Sequence, residues 1–238
     1  MLSALKKVFR KPVPVRASWE QTPGQFSTLP AFLNWFDNTA SVHDTLKRAS
    51  ADWQCRFADH PEYRRIPKTC ALEIGFGAGR LLLQAAKDFS RVIGVDIHAS
   101  FPEADKFLRS QNCENFALLH RDQIGSIPNG SLDLVYSFIV FQHFDSMEEV
   151  RFYLSHIHRV LKPTGYAHIY FGRNDSPGIK VVPESEFQLR ACSLLIEPKV
   201  MVEELSKTFT ILDVQDNLPK DPITKQGRSG QFFVVFRR

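Results

Sequence analysis

Thr69-Cys-Ala-Leu-Glu-Ile-Gly-Phe-Gly-Ala-Gly-Arg80 is a short apolar strand that ends in an acid and runs into three glycines at alternate positions. Gly75, Gly77 and Gly79 have no Cβ, so the backbone can turn sharply out of the strand and let a ligand lie against its amides. The segment after it reads as a helix, whose positive N-terminus faces the same loop. The pattern predicts a nucleoside-cofactor loop.

Two features separate this loop from a nicotinamide site. A dinucleotide fingerprint needs Gly or Ala three residues after its second glycine, for close packing of helix on strand, and Arg80 occupies that position. A carboxylate at Glu73, just before the first glycine, repels a pyrophosphate and attracts an ammonium or sulfonium. The cofactor is expected to be cationic.

With these residues in view, the chain resembles the class I S-adenosyl-L-methionine-dependent methyltransferases, whose first motif is an acid, x, Gly, x, Gly, x, Gly at a strand end. Glu73, Gly75, Gly77 and Gly79 match it. Further matches follow in the family's order, in Arg91-Val-Ile-Gly-Val-Asp-Ile97, Leu118-Leu-His-Arg-Asp122, Ser131-Leu-Asp-Leu-Val-Tyr-Ser-Phe138 and Leu161-Lys-Pro-Thr-Gly165. The resemblance spans roughly residues 68 to 171. It implies S-adenosyl-L-methionine as cofactor and a three-layer αβα Rossmann-like fold. The sheet would have seven mostly parallel strands, the last antiparallel.

The resemblance also assigns residues. Asp96, with Ile97 beside it, would accept from the ribose hydroxyls, for which its two oxygens suit. Asp122 would accept from the adenine amino group, with the main chain of Gln123 at a ring nitrogen; Asp122 also reads as a turn residue ahead of Gly125. Ser137 and Phe138 lie where the fourth strand opens towards the methionine part, and Phe138 equally suits core packing. Asp133 reads as structural, ordering the turn before its strand.

Strands are predicted near 69–75, 91–96, 115–120, 132–138 and 166–171, with helices near 78–89, 102–111 and 147–161. Met147, Val150, Leu154, Ile157 and Leu161 make the buried stripe of the last, leaving His156 and Arg159 towards water. A helix at 198–207 and strands at 208–214 and 231–236 would complete the sheet. Ahead of it, Ser41 followed by Asp44 resembles a helix cap, giving helices at 29–37 and 42–58. The chain therefore divides into a basic N-terminus and helical cap (1–67) and a methyltransferase domain (68–238) with an insertion at 172–197, far longer than the usual connection.

Composition agrees. The chain has 238 residues, 43% of them hydrophobic, enough for a sizeable core. Four cysteines show no C-x-x-C spacing, which suits a reducing, cytoplasmic setting. No apolar run reaches the roughly 20 residues that span a bilayer, and no signal peptide is visible. A net charge of +4 is too mild to demand nucleic acid, and no nucleic-acid module appears. Lys6, Lys7, Arg10, Lys11 and Arg16 within residues 1–16 nevertheless permit weak contact with an anionic membrane surface.

A small-molecule, glycan or lipid acceptor, methylated at oxygen or nitrogen, is the leading expectation. No Asn/Asp-Pro-Pro-Tyr/Phe motif of base methylation follows the fourth strand. Protein or RNA methylation and a non-catalytic binding subunit are the alternatives. His143, just beyond the fourth strand, is the candidate general base, with a packing role as the other reading. Arg173, at the carboxyl end of the fifth strand, is the candidate for an anionic acceptor, or else a surface partner of Asp175. No metal site is expected; neither the acceptor nor the oligomeric state is legible.

Overall fold

The computed structural model describes residues 19, 26–183, 186, 192–216 and 230–238. The basic segment 1–16 lies outside the described residues, as do parts of the 172–197 insertion and of the loop before the last strand.

Apolar residues buried on both faces make a central parallel sheet. β1 (Cys70–Ile74) pairs with β2 (Arg91–Asp96) on one side and β4 (Leu132–Ser137) on the other, and β3 (Phe116–His120) extends β2. β5 (Leu161–Gly172) follows β4, and β9 (Gln231–Arg237) runs antiparallel between β5 and β8 (Thr210–Gln215). The order β3-β2-β1-β4-β5-β9-β8 is the seven-stranded arrangement expected, with the antiparallel last strand.

Alternation along the strands feeds two hydrophobic layers. On one face Leu72, Ile93, Val135 and Ile169 pack with α5 (Met147–Val160) and α6 (Pro198–Ser206). On the other, Ala71, Val92, Leu134, Tyr136 and Tyr170 meet α3 (Arg80–Asp88), α4 (Phe101–Ser110) and the N-terminal cap of α1 (Leu29–Asp37) and α2 (Val42–Trp53). Phe32, Leu33, Trp53 and Phe57 place the cap within this second layer. Ser41 Oγ accepts from Asp44 N at 3.1 Å, so the cap read from the sequence starts α2.

Two boundaries differ from expectation. The helix expected through residue 58 leaves α geometry after Trp53, and Gln54–Ala58 form a π turn that carries Arg56 and Phe57 inward. β5 begins at Leu161 rather than 166, because the Lys-Pro-Thr-Gly segment continues extended beside Leu132. Gly165 is needed there, since a Cβ would lie 2.7 Å from the Leu132 carbonyl oxygen. Arg159 is not simply solvated: Nη2 donates to Ile124 O at 3.0 Å and Nη1 to Asn129 Oδ1 at 2.7 Å, holding the entrance to β4. Asp133 serves β1 in the same way, accepting from the amides of Thr69 and Cys70, both at 3.0 Å.

The insertion carries a two-stranded ribbon of β6 (Ile179–Val181) and β7 (Leu194–Ile196). Beside β7, Ser193 N donates to Gln142 O at 2.8 Å and Ser193 Oγ to Phe144 O at 3.1 Å, so the ribbon clasps the turn that follows β4.

Candidate active site

The three glycines all adopt left-handed conformations, with φ of 76°, 53° and 89° at Gly75, Gly77 and Gly79. Space as well as torsion excludes side chains at the first two. A Cβ on Gly75 would lie 2.3 Å from Val140 Cγ2, and one on Gly77 3.0 Å from Phe36 Cδ1. The loop is thereby pressed between the turn after β4 and the cap.

Hydrogen bonds fix its exit. Gly77 N donates to Asp96 Oδ2 at 2.8 Å and Ile97 N to Asp96 Oδ1 at 2.7 Å. His98 Nδ1 accepts from Ser100 N at 3.0 Å, which leaves the imidazole proton on Nε2 to be donated to Gly77 O at 2.9 Å. Each Asp96 oxygen keeps a lone pair for a further donor.

A cavity of about 430 Å³ opens over this loop. Glu73, Gly75, Gly77, Asp96 and Ile97 line it from the sheet, Trp35, Phe36, Asp37, Asn38 and Arg48 from the cap, and Phe138, Gln142 and His143 from beyond β4. Trp19 closes on His143 with ring centroids 5.1 Å apart. The carboxyl of Glu73 is buried and accepts from the Tyr136 hydroxyl at 3.2 Å. Burial pushes its pKa well above the usual range, against the pull of the Arg80 guanidinium.

Arg80 is the main residue whose role the sequence did not reveal. Its Nε lies 2.7 Å from Asp37 Oδ1 and its Nη1 2.8 Å from Asp52 Oδ2, so it ties α3 to both cap helices in a nearly dry site. Burial raises Asp37 from 3.8 to about 6, with Arg80 opposing that rise. Arg56, carried inward by the π turn, meets the other Asp52 oxygen at 3.0 Å. In the sequence Arg80 was visible only as the wrong residue for a dinucleotide site, and no pattern linked it to Asp37 and Asp52.

The remaining sequence candidates divide. His143 lines the cavity at the end of a 3-10 turn, with its Nε2 3.2 Å from Gln142 Nε2. Gln142 Oε1 in turn accepts from Gln231 Nε2 at 2.7 Å, so a chain of two amides reaches the imidazole from β9. Ser137 is fully buried and donates to Ile74 O at 2.8 Å; its hydroxyl joins β4 to β1 and is not part of the cavity lining. Gly79 caps α3 and also stands outside the lining.

Asp122 and Gln123 lie outside it too. A 3-10 helix at Arg121–Ser126 turns Asp122 outward, where its N–H donates to His120 Nδ1 at 3.4 Å, and Gln123 Oε1 accepts from His120 N at 3.0 Å. Arg173 is likewise not brought to the cavity. Its Nε donates to Asp175 at 2.7 Å and its Nη1 to Asp216 O at 2.7 Å, tying the start of the insertion to the end of β8. Among the described residues no group of His, Cys, Asp and Glu could hold a metal ion, and no helix is long and apolar enough to cross a membrane.

Comparison with known proteins bears on this cavity. Residues 72–169 match the family model of a methyltransferase domain. No curated protein sequence matches the chain. Among solved structures, a protein from Pyrococcus horikoshii OT3 is similar, with 18% identity and a TM-score of 0.61, over 87% of this chain and 95% of that one. An S-adenosylmethionine-dependent methyltransferase from Mesorhizobium loti has 17% identity and a TM-score of 0.57, over 79% and 98%. Phosphoethanolamine N-methyltransferase 1 of Haemonchus contortus, in complex with phosphoethanolamine and S-adenosylhomocysteine, has 18% identity and a TM-score of 0.64, over 94% of this chain and 48% of that one. The structural likenesses carry the fold, and the family model carries the glycine loop and the strands around it. Residues 72–169 are therefore a class I S-adenosyl-L-methionine-dependent methyltransferase domain.

Proposed function

We propose that the chain transfers the methyl group of S-adenosyl-L-methionine to an oxygen or nitrogen of a small molecule, glycan or lipid, in the cavity over the glycine loop. One observation carries the assignment: a buried acid, a left-handed glycine loop and a second acid at the next strand end line one cavity. The residues fit the cofactor. Glu73 would attract its ammonium group, the amides from Gly75 to Gly79 leave room for its backbone approach, and the free lone pairs of Asp96 suit two ribose hydroxyls. Ile97 would pack beside the base.

When bound, the cofactor supplies an activated methyl: the acceptor's lone pair forms a bond to carbon as the carbon–sulfur bond breaks, the bonding pair stays on sulfur, and the acceptor's proton leaves. The chain's part is chiefly to hold the acceptor in line and dry, which can contribute several kcal/mol. His143, which lines the cavity, would take the proton. Gln142 sets which nitrogen can do so: an amide NH2 facing Nε2 leaves the imidazole proton on Nδ1, whereas a half-turn of the amide presents oxygen and frees Nδ1 as the base.

Asp122 and Gln123 remain proposed for the adenine end through the main chain of their 3-10 turn, and Ser137 supports the loop through Ile74. Arg173 is proposed as a structural tie. A reducing, cytoplasmic setting suits four cysteines that are all free thiols.

Calorimetric titration of S-adenosylmethionine and S-adenosylhomocysteine into the protein, Glu73→Gln and Asp96→Asn, with NADH as control, tests the assignment. Saturable binding of both sulfur ligands, weakened in each variant, is expected. Binding of NADH alone, or of none of the three, would overturn it.

A further inference from the structure

We propose that the acceptor is an uncharged ring bearing a hydroxyl, held with its flat face against Trp19 and the aromatic wall of the cavity. This rests on the reading of the cavity as the methyl-transfer site, and it follows from charge and shape. With Glu73 and Asp96 taken by the cofactor, the ionic groups left in the lining are Asp37 and Glu149 against Arg48 and Arg80, so no cation is in excess. Both guanidiniums are engaged: Arg80 by Asp37 and Asp52, and Arg48 by the Asp37 carbonyl at 3.3 Å with Asp52 3.9 Å away. An anionic acceptor, whether phosphate or carboxylate, would enter without a counter-ion and meet repulsion in a partly dry site.

Much of the rest of the wall is apolar, with Asn38, Gln142, His143 and Tyr153 as its other polar groups. Trp19, Trp35, Phe36, Phe138, Ile139 and Val140 face the cavity, and two of the chain's three tryptophans are among them. Large flat side chains of this kind recognise flat partners, either an aromatic ring or the apolar face of a pyranose. His143 stands against Trp19. An imidazole there suits a hydroxyl, which attacks with a lone pair while its proton moves to nitrogen. A protonated alkylamine has no such lone pair until it has lost its proton elsewhere.

The two sources of this chemistry, a phenol and a sugar, are separated by experiment. Protein loaded with S-adenosylhomocysteine would be titrated with phenol, catechol, methyl α-D-glucopyranoside, ethanolamine and O-phosphoethanolamine, with binding read by saturation-transfer NMR. At least one neutral ring is expected to bind at millimolar concentration or better. Trp19→Ala is expected to weaken that binding about tenfold and Trp19→Phe to restore most of it, since either aromatic ring offers a flat face. Affinity for S-adenosylhomocysteine is expected to stay within about twofold of wild type in both variants, which also shows that they fold. Preference for the phenols would assign an aromatic acceptor, and preference for the glycoside a glycan. The proposal is overturned if ethanolamine or O-phosphoethanolamine binds more tightly than every ring, if no ring binds, or if Trp19→Ala leaves ring binding unchanged. Failure of the wild type to bind S-adenosylhomocysteine would instead remove the methyl-transfer reading on which it rests.

Discussion

Replacing Arg80 by Met removes a buried cation while keeping most of its volume, and its effect can be worked from the structure. Arg80 meets two carboxylates at 2.7 and 2.8 Å, with Asp37 and Asp52 themselves almost inaccessible. Each contact is worth on the order of 4 kcal/mol at an effective dielectric of about 20. Against that gross gain stands the desolvation of the guanidinium, which the variant no longer incurs. Removal of one member of a buried ionic cluster typically leaves a net loss of about 3–5 kcal/mol. That is a large share of the roughly 5–15 kcal/mol that stabilises a domain.

The loss should depend on pH, and Asp37 sets the sign. Its pKa in the fold, about 6, is already above the ordinary 3.8 of an aspartate because of burial, while Arg80 and Arg48 hold it down and Asp52 pushes it up. An acid raised in this way contributes stability that is fully present below its unfolded pKa and is lost as pH rises through its folded one. Without Arg80 the folded pKa climbs further, so the variant continues to lose stability at pH values where the wild type has levelled off. Arg48 and Arg56 remain to offset part of the charge, whereas the neighbouring Glu73 adds to it. Urea unfolding followed by circular dichroism at pH 8 and pH 5.5 would measure the difference. We expect a deficit of about 3–5 kcal/mol at pH 8 that shrinks by at least about 1 kcal/mol at pH 5.5. A deficit below about 1 kcal/mol at pH 8, or one equal at both pH values, would refute the role given to this cluster.

Other outcomes follow from the same geometry. Gly75→Ala combines left-handed strain with a Cβ 2.3 Å from Val140, and should cost about 2–5 kcal/mol and weaken S-adenosylhomocysteine binding more than tenfold. Gly125→Ala, with nothing within 4 Å of the new atom, is the matched control and should do neither; equal effects in calorimetry and unfolding would sink the argument. Asp37 and Glu73, both raised by burial and both lining the cavity, should release protons to a cationic ligand. S-adenosylmethionine should therefore bind more tightly as pH rises from about 5.5 to 7, by up to tenfold per unit for each proton released, and a flat profile would contradict this. Asp133→Ala leaves the Thr69 and Cys70 amides without their acceptor and Lys162 without its partner at 2.7 Å. It should lower the melting temperature, with cofactor affinity near wild type below the transition; loss of affinity instead would give Asp133 a part in the site.

What the sequence determined alone is the part governed by local rules. Left-handed glycines after an apolar strand, alternation along β1, β2 and β4, and the Ser41–Asp44 cap are short-range patterns. Each is set by steric limits or hydrogen bonds among residues close in the chain, so each was legible without neighbours. The number of strands and the antiparallel last one came through resemblance of the motifs in sequence.

Tertiary structure decided the rest, because burial and charge pairing join residues far apart in the chain. Arg80 could be recognised as a tie only when Asp37 and Asp52 arrived from two other helices. For Arg173 the fold selects the surface pairing with Asp175 that was one of its two readings, and adds Asp216 from beyond β8, while the turn at Arg121–Ser126 carries Asp122 to solvent, as its turn reading allowed. Trp19 reaches His143 across more than a hundred residues, and Gln231 reaches it through Gln142 from the last strand. The glycine loop was written in consecutive residues; the wall that faces an acceptor was assembled from segments that only the folded chain brings together.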